Sequence, residues 1–231
     1  MEGLKMSKVY LFGVGFDEKL VLRSVLRLGV KPGETVLLIY SITTSGEFEK
    51  AKVENALKNL RRILSDAGVN VAEIEIPAMN LPSDVNAIVK ELKGRQPEIV
   101  VASLGSGMRY VAFVILYSCI LYRDLLNKKA RIYIHTARED GLYDVTLSLN
   151  VLKIFLGSRE LEALCVFNEL GGSIARDELV KKLTVTLNVR QTPAYKLLNR
   201  MEEHGLIATN DNRVELTSLG KSIAVVKCGS D

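Results

Sequence analysis

The chain has little of what metal, redox or membrane chemistry needs. It holds only two histidines, His135 and His204, and neither has a metal-ligating neighbour at a useful spacing, so no metal site is expected. Its three cysteines, Cys119, Cys165 and Cys228, are scattered and odd in number. They form no C-x-x-C pair, suggest no disulfide framework and fit a reducing cytoplasm. The greasiest stretch, YVAFVILYSCILY at 110–122, is flanked by Arg109 and Arg123 and falls short of the roughly 20 apolar residues that span a bilayer. A buried helix, at the core or a subunit interface, is the better reading. The opening MEGLKMSKVYLF has neither the long apolar core nor the cleavage site of a secretion signal. Internal repeats, low-complexity tracts and the phosphate-loop pattern G-x-x-x-x-G-K-[ST] are all missing. A dinucleotide fingerprint fails as well: Gly13 and Gly15 fit, but position 18 is Glu, and the second apolar run ends in Tyr40–Ser41 instead of an acid. No nucleophile, base and orienting partner can be grouped, so no catalytic residue is assigned and the protein is not expected to be an enzyme.

What is present is an alternation. Apolar runs at 8–14, 34–41, 70–76, 98–103 and 130–136 read as strands, and 142–149 reads as an antiparallel partner of the last. Between them lie helical patterns at 17–29, 46–68, 82–94 (with Ser83 or Asp84 as cap) and 107–126. Strand–helix–strand order with short connections predicts an α/β, mainly parallel sheet with helices on both faces over residues 1–150. After a linker at 151–158, with Ser158 as a plausible cap, the pattern changes. Residues 159–231 read as three helices, two short strands around NDN and a last short helix: a winged helix-turn-helix.

In such sheets a ligand sits outside the carboxyl ends of the strands. Two glycine loops fall there. One is Gly13, Val14, Gly15, Phe16 and Asp17; the other is Leu104, Gly105, Ser106, Gly107, Met108 and Arg109. Glycine lets backbone N–H groups approach an oxyanion, a helix start adds donors, and Arg109 adds a two-pronged cation. Glycine at a strand-to-helix turn can also serve geometry alone. Thr43, Thr44, Ser45, Met79, Asn80, His135 and Thr136 are further candidates at the same edge, and any of them can equally be a cap, a turn or a structural residue.

The net charge of +4 leans towards anionic partners. Up to Ser158 there are 21 basic and 17 acidic residues; from Arg159 on there are ten of each. Distribution is more informative, because no acid occurs from Leu179 to Met201, where Lys181, Lys182, Arg190, Lys196 and Arg200 all lie. Gln191, Thr192, Tyr195 and Lys196 are placed to meet base edges from the start of the third helix, with Pro193 in its first turn; Arg200 and Arg213 suit phosphates. The same residues could be solvated side chains of a dimerisation or protein-binding module.

The loops GVGFD and SLGSGMR, together with TPAYKLLNRMEEHGLI and VELTSLGKSIA, resemble the CRISPR-associated archaeal regulators that join a CARF domain, a Rossmann-like sensor, to a C-terminal winged helix-turn-helix. That resemblance implies a cytoplasmic homodimer whose sensor domains bind a cyclic oligoadenylate, usually cyclic tetra-adenylate, across the two-fold axis. The ligand residues it implies are the two loops, with Thr43 and Thr136 less central. It further implies a ligand-responsive transcriptional regulator of CRISPR-associated genes acting on double-stranded DNA, with a palindromic promoter site as target. A ring nuclease that degrades the cyclic ligand is the alternative, although the 104–109 loop lacks a lysine that would favour cleavage.

Overall fold

The computed structural model describes residues 7–42, 46–77, 80–127, 129–137, 144–148 and 157–228, with backbone alone at 137 and 144–148. The chain divides into two compact units, Met1–Lys153 and Ile154–Asp231.

The first unit is built on strands β1 (Lys8–Gly13), β2 (Thr35–Tyr40), β3 (Asn70–Glu75), β4 (Ile99–Ser103), β5 (Arg131–Ala137) and β6 (Asp144–Ser148). They form one sheet in the order β3-β2-β1-β4-β5-β6. The first five run parallel, and β6 pairs antiparallel to β5. The apolar runs are continuous because the central strands are covered on both sides. Tyr10 and Phe12 pack with Val21 and Val25 of α1 (Glu18–Leu28) and with Val53, Leu57 and Leu60 of α2 (Glu47–Asp66). The opposite face lies under α3 (Leu81–Arg95) and α4 (Arg109–Leu121), and Val111 and Ile115 of α4 come down onto Gly13.

Capping follows local chemistry. Asp17 accepts a hydrogen bond from the Lys19 N–H at the start of α1, and Gly29 ends that helix in the left-handed region. The cap of α3 is not Ser83 or Asp84, as the sequence suggests, but Asn80, whose side chain accepts from the Ser83 N–H. The helix starts earlier because Pro82 fits a first turn that needs no N–H there. The greasy segment forms α4 and then widens into a π-helical turn at Tyr122–Leu126. Among the described residues no helix is long and apolar enough to cross a membrane.

The second unit runs α5 (Ser158–Glu169), β7 (Ser173–Ala175), α6 (Arg176–Thr186), α7 (Gln191–Glu203), β8 (Ile207–Asn210), β9 (Arg213–Leu216) and α8 (Ser218–Cys228). Its sheet is antiparallel in the order β7-β9-β8. Leu164, Phe167, Leu183, Leu198 and Met201 are fully buried between the helices. The α6–α7 connection turns through Asn188 in the left-handed region, which asparagine tolerates better than branched residues do. The strand β7 is too short to carry an alternating pattern and is absent from the sequence reading. Gly157, rather than Ser158, is the N-cap of α5, and its N–H donates to the Glu160 carboxylate three residues on.

One expectation fails outright. Cys165 of α5 and Cys228 at the end of α8 form a disulfide, with Cα atoms 5.4 Å apart. The pair is 63 residues apart in sequence, and only the packing of the two helices makes it visible. Cys119 is free and buried, and burial pushes its thiol up to about 12. Alkylation of denatured, unreduced protein is therefore expected to modify one cysteine per chain, and all three after reduction; three without reductant would disprove the pairing. Because the reactive thiolate is scarce far below that value, Cys119 of the native protein is expected to resist alkylation at mildly alkaline pH.

Candidate functional site

The strand order reverses between β1 and β4, so the loops that leave their carboxyl ends lie side by side. These are the two glycine loops. They touch one another: the Ser106 hydroxyl is buried and donates to the Gly13 carbonyl at 2.5 Å. A Cβ on Gly15 would stand 3.0 Å from the Gly107 Cα. Gly107 has φ of +83°, and a Cβ there would stand 3.0 Å from the Gly13 carbonyl carbon. Glycine at positions 13, 15 and 107 is thus required by loop-on-loop packing alone.

The remaining loop positions sort by exposure. Val14 is buried, and its N–H donates to the Ile39 carbonyl. The Leu104 N–H donates to the His135 carbonyl on β5, and His135 itself is buried. Gly105 is half-buried; Met108, also half-buried, is the N-cap of α4. Phe16 is 52% exposed, a large fraction for a phenyl ring. Asp17 is exposed, with its carboxylate engaged as the α1 cap, and Thr136 is exposed near the end of β5. Arg109 opens α4, is exposed, and has no hydrogen-bond or ionic partner among the described residues. Thr43, Thr44, Ser45 and Met79 lie outside the described residues. Asn80 is the α3 cap.

The sequence reading gave no role to a polar support beneath this edge. Asp84 is fully buried, and its Oδ2 accepts from the Tyr110 hydroxyl at 2.6 Å. The bond ties the first turn of α3 to the first turn of α4, directly beside Arg109. The Asp84 Oδ1 and the buried hydroxyls of Ser41 and Ser103, at the ends of β2 and β4, have no partner among the described residues. Farther along α4, Phe113 is 53% exposed and its ring stacks on Tyr117 at 6.0 Å.

In the second unit α7 buries Ala194, Leu197, Leu198 and Met201 and turns Thr192 and Lys196 outward. Gln191 and Arg190 are exposed at its start, and Lys181 and Lys182 are exposed on α6. Three expected nucleic-acid contacts have other attachments. The Tyr195 hydroxyl donates to Asp177 of α6 at 2.8 Å, a bond that holds its proton and raises the phenol above its ordinary value. Arg200 donates from Nε and Nη2 to Oε1 of Glu160, a carboxylate with no exposed surface, so its charge is already opposed. Arg213 on β9 donates to the Ser173 hydroxyl at 3.4 Å. All three attachments come from residues far away in sequence, which a reading of charge distribution does not see.

A five-stranded parallel sheet of this order, with paired loops at the reversal, defines the first unit as a Rossmann-like domain. Residues 8–146 match the Csa3 CRISPR-associated Rossmann-like domain, and the chain belongs to that family. No curated protein matches the chain. Among solved structures it is similar to Enterococcus italicus Csm6 bound to cyclic hexa-2'-fluoro-hexa-dAMP, at 10% identity and a TM-score of 0.44, over 87% of this chain. The match spans 57% of that Csm6 chain. The zinc-inhibited form of teicoplanin deacetylase Orf2 follows at 10% identity and TM-score 0.36, covering 86% of this chain and 92% of that one. Glycinamide ribonucleotide transformylase 1 from Symbiobacterium toebii has 14% identity and TM-score 0.31, with 91% and 94% coverage.

Replacing Gly107 by Ala is expected to destabilise the first unit by about 2 kcal/mol, since it adds both backbone strain and a clash. Ser106→Ala is expected to cost roughly 1–2 kcal/mol through the stranded Gly13 carbonyl. Urea titration of both variants checks this. Arg109→Ala, at an exposed site, serves as the control and is expected to stay within about 0.5 kcal/mol of the parent.

Proposed function

We propose that this protein is a dimeric, ligand-responsive DNA-binding regulator. Its first unit senses a cyclic oligoadenylate, cyclic tetra-adenylate by preference, and its second is a winged helix-turn-helix. The observation that carries the sensing half is the guanidinium of Arg109. It stands exposed beside two touching glycine loops at the strand-order reversal, in a domain of a CRISPR-associated family. A cyclic polyphosphate of two-fold shape suits a crevice that two copies of the chain present to each other. The exposed ring of Phe113, stacked on the half-buried Tyr117 of α4, supports burial against such a copy.

The DNA half rests on the order α5-β7-α6-α7-β8-β9-α8, on the short α6–α7 turn, and on the outward Thr192 and Lys196 of α7. Two such helices related by a two-fold axis suit a palindromic promoter site. The role is regulatory rather than enzymatic, and control of CRISPR-associated genes from the cytoplasm is part of the same reading.

Calorimetry with cyclic tetra-adenylate is expected to show binding by the parent and a loss of roughly 10-fold or more in Arg109→Ala, the worth of a charged hydrogen bond. DNA affinity without ligand is expected to stay the same in that variant. Saturating ligand is expected to change the parent's DNA affinity by about 5- to 150-fold in one direction. Equal affinities would remove the coupling, and linear products from labelled ligand would establish the nuclease instead.

A further inference from the structure

The second unit carries a cavity of about 460 Å³ that no motif announces. One wall is the start of α5, with Ser158 and Arg159; the other is a flank of α7, with Thr192, Lys196 and Arg200 at the spacing of a single helix face. Its floor is apolar, from Pro193 and Leu197.

The charges of the walls are unequal in availability. Arg200 is spent on Glu160. Arg159 and Lys196 are exposed and have neither an ionic nor a hydrogen-bond partner among the described residues. The cavity therefore joins two uncompensated cations, two exposed hydroxyls and an apolar floor. This is the complement of a chain in which anions alternate with compact apolar rings. Lys196 lies at once on the cavity wall and on the outward face of α7, so a strand seated there is continuous with a duplex met by that helix.

We infer that this cavity seats a stretch of DNA sugar–phosphate backbone. Its phosphates meet Arg159, Lys196 and the hydroxyls of Ser158 and Thr192, and a deoxyribose lies on Pro193 and Leu197. The inference rests on the DNA-binding reading of the second unit. It moves Thr192 and Lys196 from base edges to backbone and gives a role to Arg159, which the sequence pattern left without one.

The test is the salt dependence of binding to a labelled random-sequence duplex, measured by anisotropy for the full chain. Arg159→Ala is expected to bind roughly tenfold more weakly and to flatten the plot of log affinity against log salt by about 0.9, the share of one phosphate contact. Arg159→Lys is expected to keep the slope. Lys221→Ala, an exposed charge on α8 outside the cavity, is expected to change neither quantity. If the parent binds while Arg159→Ala matches it, or falls no further than Lys221→Ala, the cavity inference is overturned and the DNA reading stands. A parent that binds no duplex at low salt overturns both.

Discussion

The contact between the two glycine loops is the constraint on which the first unit depends. Parallel pairing of β1 and β4, with Phe12 opposite Ser103, brings both chains out of the sheet side by side. Each must then enter a helix on a different face. Side chains at Gly13, Gly15 or Gly107 would force the loops apart, and Ser106 would lose the Gly13 carbonyl. Separating them would shift the starts of α1 and α4 together, because Asp17 caps one and Met108 the other. The crevice owes its shape to the absence of Cβ atoms at a few positions, not to a frame of large residues.

The bond between Asp84 and Tyr110 belongs to the same design. A carboxylate with no exposed surface is costly unless its hydrogen bonds are made. Here one oxygen is held by a phenol from the neighbouring helix. That exchange fixes the rotation of α4 about its axis at its first turn, where Arg109 sits. The same rotation brings Val111 and Ile115 down onto Gly13 of β1 and leaves Phe113 half in water. The amphipathic signal of α4 is weak because nearly every side of the helix is apolar, so its sequence alone could not assign the outward face.

Much of the chain was legible because periodic burial writes itself into sequence. The strand runs, the helical stripes of α1 and α2 and the antiparallel sixth strand follow from patterns a few residues long. What escaped is set by distant partners. Cys165 meets Cys228 because α5 lies against α8. Glu160, an acid in the first turn of α5 to which the sequence reading gave no role, is buried, and it accepts from both the Gly157 N–H and Arg200. Tyr195 sits at a position that faces bases in a bare helix and is instead drawn to Asp177 across the α6–α7 packing. Asn80 displaces the expected caps because capping is decided by where the chain turns, and Pro82 permits an earlier turn. For the cysteines, Arg200 and Tyr195 the deciding partner lies too far along the chain for a local pattern to reveal.

These attachments also redistribute the weight of the functional argument. Glycine pairs at a strand end look like an anion cradle, but packing accounts for them here without a ligand, so they specify the shape of the crevice and not its chemistry. The chemistry must come from groups that packing does not use, and at that edge Arg109 and the exposed ring of Phe16 are such groups. The second unit obeys the same logic. Its acid-free stretch holds five cations, but Arg200 is cancelled from below by Glu160. Which charges are available at the surface is therefore set by which cations lack an internal partner, and that is a property of the fold. Charge counted along the chain overstates Arg200 and overlooks Arg159, because the count cannot tell a spent charge from an available one.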